Sequence, residues 1–310
     1  MMEMRQILNE ELSSLMEKNE KIIVIDSDLS KPNGLSSLKE KFPLRAIDVG
    51  IAEQNMACIA AGMSSYGFIP FISTFAPFAT RRICDQIAVS CSYAKQNVKI
   101  IGTDPGICAE FNGGTHMSFE DIGVLRSIPN IVIFEPTDGI QLKKALPQIV
   151  NHYGVVYIRT PRKNVQNVFT NNYTFDLFKS SKIQNGNDIS IFCSGIMVHE
   201  TLRANEILKE HGINAEIINI HTIKPIDKDS IINSVKKTGL ALTVENHNTI
   251  GGLKSAISEV LVENYPVPLK SIGILDQFGQ VGEIPYLKKF YKMRDVDIAD
   301  KAFELIKLKK

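Results

Sequence analysis

Short runs of β-branched residues alternate along the chain with longer stretches in which apolar positions recur every three or four residues. The runs Ile22-Ile23-Val24-Ile25, Phe68 to Ile72, Val98 to Ile101, Ile131 to Phe134 and Val155 to Ile158 predict strands. Helical spacing falls between them, over 5–18, 52–65, 77–94 and 138–150. This rhythm predicts a mostly parallel sheet flanked by helices, since parallel neighbours need a crossover that a helix usually supplies. A polar stretch, Asn164 to Asn187, then carries turn signals at Asn171-Asn172 and Asn185-Gly186 and little apolar content. Beyond it the rhythm restarts, with strands expected at 189–193, 215–220, 240–244 and 270–274. Helices are expected there at 197–211, 227–237, 251–264 and 296–308, the first closed by His211-Gly212 as a C-cap. The expected organisation is α/β throughout: a first domain over 1–168, a linker over 169–187 and a second domain over 188–310.

Composition narrows the function classes. The chain has 310 residues, enough for two full cores, with 44% hydrophobic and 22% charged residues, as in ordinary globular proteins. A net charge of +1 with scattered Lys and Arg leaves no footprint for nucleic acid or an anionic membrane. The apolar runs are too short and too broken by charge to span a bilayer, and the first residues lack the apolar core of a signal peptide. Cys58, Cys84, Cys91, Cys108 and Cys193 form no Cys-x-x-Cys pair and read as reduced core residues. A cytoplasmic location is expected on these grounds.

One carboxylate stands out. Glu53 opens an apolar helical stretch and shares a face with Met56, Ala57, Ala60 and Met63. A carboxylate buried there costs several kcal/mol unless it is paired or keeps its proton. The plainer reading is an acid in the first turn, half solvated and facing the positive end of the helix dipole. In open α/β sheets ligands bind beyond the carboxyl ends of the strands, so the loops after the strands are where chemistry is expected. Those loops carry Asp26-Ser27-Asp28-Leu29-Ser30, Ser73-Thr74-Phe75-Ala76-Pro77-Phe78, and Gly102-Thr103-Asp104-Pro105-Gly106 followed by Glu110-Phe111-Asn112-Gly113-Gly114-Thr115-His116. The last is rich enough in glycine to close over a ligand. His116 is a candidate proton-transfer group, against the commoner reading of a structural histidine. There is no Walker loop, no Gly-x-Gly-x-x-Gly after a strand and no His-Glu-x-x-His. Glu245-Asn246-His247 reads as a hydrogen-bonded turn before a glycine-permitted helix start.

Taken in order, these strings resemble the C-terminal part of the transketolase family, most closely the C-terminal subunits of its split members. Val49-Gly50-Ile51-Ala52-Glu53-Gln54-Asn55-Met56, Gly113-Gly114-Thr115-His116, Arg126-Ser127-Ile128-Pro129-Asn130, Pro136-Thr137-Asp138, Val156-Tyr157-Ile158-Arg159 and His221-Thr222-Ile223-Lys224-Pro225 extend the match over nearly the whole chain. The resemblance implies a pyrimidine-binding domain followed by a transketolase C-terminal domain, and thiamine diphosphate as cofactor. It implies that Glu53 hydrogen-bonds the pyrimidine ring of the cofactor and relays its activating proton. Phe75 and Phe78 would line the aminopyrimidine pocket, with the Asp28 loop nearby. His116 would face the substrate, and either Arg159 or Arg162 would bind it. The Gly-Asp-Gly motif that holds Mg²⁺ and the diphosphate in this family is not in the sequence. An N-terminal partner subunit carrying it is therefore expected, in a heterotetramer with two of each chain, and this subunit alone should be inactive.

Three positions depart from the family around the sugar. Asp104 stands where His is usual, and an anion there repels a phosphate unless a cation intervenes. Asn112 replaces an Asp that contacts a donor hydroxyl, keeping the geometry but losing the charge. Pro32 stands where a phosphate-contacting Ser is frequent. An atypical or non-phosphorylated substrate is the resulting expectation. The competing readings are a subunit resembling deoxyxylulose-phosphate synthase or the β-subunit of a 2-oxo acid dehydrogenase, and a non-catalytic regulatory subunit.

Overall fold

The computed structural model describes residues 2–309, and its strands fall into two sheets. The first six strands in the chain are β1 (Ile22–Asp26), β2 (Ala46–Asp48), β3 (Ile69–Phe75), β4 (Lys99–Thr103), β5 (Ile131–Phe134) and β6 (Val155–Thr160). The rest are β7 (Ser181–Gln184), β8 (Ile189–Cys193), β9 (Ala215–Asn219), β10 (Thr222–Lys224), β11 (Ala241–Asn248) and β12 (Leu269–Ile274). Among the described residues one sheet runs β10-β5-β6-β4-β3-β1-β2 and the other β12-β11-β8-β9-β7. Every pairing is parallel except β10 on β5 and β7 on β9. Both antiparallel strands lie at sheet edges, where a strand needs no crossover helix to join.

Helices cover both faces of the first sheet. In α1 (Met4–Lys18) the residues Met4, Leu8, Leu12 and Met16 recur every fourth position, form one buried stripe and pack beside α5 (Gly139–Asn151), with α2 (Ser36–Lys41) between them and the edge. On the opposite face α3 (Glu53–Ser65) lays Met56, Ala57, Ala60 and Ala61 onto Ile23, Ile25 and Ile72. Its small residues let the helix lie close to the strands, so its first turn comes down at the carboxyl end of β1. The short α4 (Asp121–Arg126) follows the Gly-rich loop. In the second unit α6 (Met197–Glu210) and α10 (Asp295–Ile306) share one core, with α9 (Ile284–Phe290) at its edge. The other core lies under α7 (Lys228–Thr238) and α8 (Leu253–Asn264).

Three expectations change. Residues 77–94 do not form an α-helix: a short 3-10 turn at Arg81–Ile83 leads into a π-helical stretch, Gln86–Tyr93. Wide turns of this kind are rare and concentrate at functional sites. Within the expected linker, Phe175 and Leu177 are buried in the first unit's core, and β7 pairs with β9. Two apolar side chains are enough to hold a polar segment down. The second unit also lends β10 to the first sheet, where Glu135 N–H donates to the His221 carbonyl at 2.7 Å.

Candidate active site

The Glu53 carboxylate lies at the start of α3 and is 5% exposed. The turn before it is tied to the β1 loop, because Ala52 N–H donates to Ser27 Oγ at 3.3 Å. In the same loop Asp28 is exposed, has φ 58°, and donates its N–H to Asp48 Oδ1 at 3.0 Å. Lys39 bridges Asp26 and Asp48 at 3.3 and 2.7 Å, so the acidic loop ends are held together by one cation. Glu53 has a partner that sequence reasoning did not name: Arg82 Nη1 donates to Glu53 Oε1 at 2.6 Å. The same guanidinium stacks 3.7 Å from the ring centroid of Phe78. A signal for it existed in the paired Arg81-Arg82, three and four residues after Phe78.

Phe75, Phe78 and His116 form a cluster. The imidazole lies edge-on to both rings, with centroids 5.9 Å from Phe75 and 5.2 Å from Phe78. All three side chains are half-buried, which leaves an apolar surface open beside the Glu53 carboxylate. His116 Nδ1 is 2.9 Å from Thr115 Oγ1, and Arg81 holds the loop by donating to the Thr115 carbonyl at 3.1 Å while pairing with Glu120.

The Gly-rich loop is braced, contrary to the expected freedom to close. A Cβ on Gly114 would lie 2.7 Å from the Gly279 carbonyl oxygen, and one on Gly113 would lie 2.9 Å from Val281 Cγ2. The glycines serve close approach to the second unit rather than mobility. The Asn112 side chain on this loop is exposed and hydrogen-bonds nothing among the described residues. Farther along, Asn246 of β11 clamps the loop after β4: its Oδ1 accepts from Ile107 N–H and its Nδ2 donates to the Pro105 carbonyl, both at 3.0 Å.

Asp104 and the two candidate arginines separate clearly. Arg159 has no exposed surface, and its guanidinium is taken up by the framework. Its guanidinium donates to Asp121 at 2.7 Å, to Glu135, and to the Asn246 carbonyl at 2.8 Å. Burial opposes the charge on Asp121, but Arg159 and His247 beside it hold that carboxyl below its usual range. Arg162 instead reaches the rim. Its Nε and backbone N–H donate to the two oxygens of Asp104 at 2.5 and 2.8 Å, and the guanidinium carbon lies 4.8 Å from the Phe75 centroid. Burial holds the Asp104 carboxyl above its ordinary range, although Arg162 pulls it back down. The cation that an anion at this position requires is therefore present. The Pro32 carbonyl accepts from Arg162 at 3.4 Å and from Arg5 at 3.1 Å, so Pro32 joins the rim through its backbone.

The structure thus brings Glu53, Phe75, Phe78, His116, Asp104 and Arg162 to one end of the first sheet, with Asp28 at its edge. His221 and His247 stay buried in the framework, with carbonyl partners at 2.8 and 2.6 Å. Among the described residues no group of three or more His, Cys, Asp or Glu is placed to hold a metal ion, and no helix is long and apolar enough to cross a membrane.

Comparison with known proteins bears on this arrangement. Residues 1–167 match the transketolase pyrimidine-binding domain and residues 179–298 the transketolase C-terminal domain. The chain is 45% identical to a 6-deoxy-6-sulfo-D-fructose transketolase subunit of Clostridium sp. over 94% of its own length and 91% of that protein. It is 32% identical to an apulose-4-phosphate transketolase subunit of Phocaeicola vulgatus, over 98% and 97% of the two chains. Among solved structures it superposes on a split gene transketolase, an inactive β4 tetramer, with TM-score 0.90 and 36% identity, covering 100% of this chain and 99% of that one.

Proposed function

This chain belongs to the transketolase family, and from that premise we propose that it is the C-terminal subunit of a two-chain enzyme transferring a two-carbon ketol unit between sugars. The observation that carries the proposal is the Glu53–Arg82–Phe78 arrangement. A flat group with N–H donors already stacks on Phe78 and bonds the Glu53 carboxylate, and the aminopyrimidine of thiamine diphosphate is also flat and offers ring-nitrogen contacts. The residues therefore fit that ring. Glu53 would hold the pyrimidine nitrogen and Phe75 and Phe78 its face, with Asp28 near the mouth. When bound, thiamine diphosphate supplies the electron sink for carbon–carbon bond cleavage and formation.

This chain's own residues orient, exclude water and move protons. Glu53, dry and carried on a rigid helix, is placed to exchange a proton with a ring nitrogen over a short bond that low dielectric strengthens. Arg82 must release the Phe78 face as the ring enters, and its 42% exposed side chain is free to do so. His116, fixed against both rings and held by Thr115, is placed to hold a substrate hydroxyl or carbonyl oxygen and shuttle its proton. Asn112 borders the same loop. Arg162, paired with Asp104 and 4.8 Å from the Phe75 centroid, would meet the distal end of the sugar.

The diphosphate and Mg²⁺ are proposed to sit on an N-terminal partner subunit in a heterotetramer of two chains each, within a cytoplasmic enzyme of carbohydrate metabolism. Relatives that are themselves subunits and match nearly end to end support this, as does the inactive homotetramer of the split relative. The domain limits are proposed as 1–168 and 188–310, with Phe175 and Leu177 of the connecting segment packed on the first unit and β7 joined to the second. The substrate is proposed to be an atypical sugar, since those two relatives are named for a sulfonated ketose and for apulose phosphate.

Co-purification with a partner chain tests the reading. Thiamine diphosphate titrated with Mg²⁺ should bind the pair, and Glu53→Ala should abolish that binding while the pair stays assembled. Ketol transfer by the isolated chain, or undiminished cofactor binding in Glu53→Ala, would overturn it.

A further inference from the structure

The rim where a sugar's distal end would lie is unusual in its charge. Pro32 ties Arg5 and Arg162 to one place, and each of these arginines already carries a carboxylate: Arg5 pairs with Glu3 at 2.6 Å and Arg162 with Asp104. Lys163, next to Arg162, pairs with Glu110. Lys31, beside Pro32, is exposed and is the one cation of this group without an acidic partner among the described residues. Arg5, Arg162 and Lys163 thus each sit against a carboxylate while Lys31 does not, and in the groove next to Asp104 the cations Arg203 and Lys288 share Glu200.

Asp104 is placed to enforce this balance. It is 4% exposed and grips Arg162 through both of its oxygens, so it cannot swing away into solvent. Its backbone, at φ 51°, is held by a bond from its N–H to the Thr160 carbonyl at 3.0 Å. A ligand group reaching the remaining guanidinium N–H donors comes within about two hydrogen-bond lengths, roughly 6 Å, of a fixed carboxylate. A sulfonate bears one negative charge at neutral pH and a phosphate monoester close to two. At roughly 6 Å and an effective dielectric of about 20, one extra charge facing a carboxylate is worth on the order of a hundredfold in affinity.

We propose that Asp104, through its clamp on Arg162, is the specificity determinant of this enzyme, selecting ketoses whose far end carries a single negative charge over those ending in a phosphate dianion. This rests on the ketol-transfer reading above. Asp104 is a positioning residue: it acts through Arg162 and through its own field rather than on the reacting carbons.

The test uses the assembled two-chain enzyme with thiamine diphosphate and Mg²⁺, and three donors on one skeleton: fructose, 6-deoxy-6-sulfofructose and fructose 6-phosphate. Glycolaldehyde, uncharged and short, serves as the common acceptor. The wild type should show kcat/KM at least 10-fold higher for the sulfonate than for the phosphate. Asp104→Asn, which removes the charge and tolerates the left-handed backbone, should raise the phosphate-to-sulfonate ratio by about 10- to 100-fold, mainly through KM, and move the fructose value far less. A wild type that prefers the phosphate overturns the proposal even if the variant fails to fold. So does a folded variant whose ratio stays within threefold of wild type. If none of the three donors reacts and the cofactor does not bind, the ketol-transfer reading itself fails, which is a distinct result.

Discussion

Two arginines on neighbouring stretches of chain show how differently one chemistry can be used. Arg159 lies inside β6 and is sealed between the two units with Asp121, Glu135, Tyr157 and the carbonyl of Asn246. Arg162 lies just past the end of β6, paired with Asp104 but still 17% exposed and stacked near Phe75. Arg82 on Glu53 resembles the second case, with more than a third of its side chain in solvent. A buried pair that has surrendered its hydration on both sides is architecture, because it cannot be opened cheaply. A pair whose arginine is well exposed and held by one bond, as Arg82 is, can be opened by a ligand, since water replaces the lost bond. Arg162, gripped twice by Asp104, stays paired and offers its remaining donors. Burial of the arginine, more than the presence of a carboxylate, separates framework from site.

The largest effect that would sharpen this contrast comes from Arg159→Leu. It would leave Asp121 and Glu135 buried without a cation, and about 3–5 kcal/mol of stability should be lost, read as a lower denaturant midpoint with an unchanged slope. A loss under about 1 kcal/mol, as for a surface pair, would break the distinction.

A second measurement probes the same junction through pH. Burial pushes the Glu245 carboxyl up to about 8 from an ordinary 4.5, although it accepts the N–H groups of Leu253 and Lys254 at the start of α8, and Glu135 and Arg159 act on it as well. The folded chain therefore holds this proton to higher pH than the unfolded chain does. Its stabilising contribution is complete below about 4.5 and is lost as pH rises through about 8. Stability should fall over that window in the wild type, and Glu245→Gln should flatten the decline by one proton's worth of slope. Parallel curves for the two proteins would show that Glu245 ionises normally.

The smallest expected effect is at the open pair. Arg82→Met should change stability by less than about 1 kcal/mol, while the assembled enzyme binds thiamine diphosphate a few-fold more tightly, because nothing competes for Phe78 and Glu53. Destabilisation as large as that of Arg159→Leu would place Arg82 in the framework instead. Weaker cofactor binding in a stable variant would make Arg82 a cofactor contact.

Much of the fold could be read directly. Runs such as Ile131 to Phe134 and Ile189 to Cys193 become strands with those same limits, because continuous β-branched stretches bounded by turns have little else to become. The π-helical stretch at Gln86–Tyr93 was not legible, since its apolar spacing differs too little from that of an α-helix. The short β2, β7 and β10 were missed because three or four residues carry no usable period, and partners distant in sequence hold them.

Within the site, local pattern was enough to single out Glu53, the aromatic pair Phe75 and Phe78, and the loop carrying His116, since each marks the start or end of a regular element. The resemblance to the transketolase family also implied that Asp104 stands where a histidine is usual. Only the tertiary structure decided that Arg162 neutralises it, that Arg159 belongs to the framework, and that Arg82 reaches Glu53. Those outcomes depend on which side chains meet across separate elements and on how much water each retains. Packing sets both, and no linear spacing encodes either.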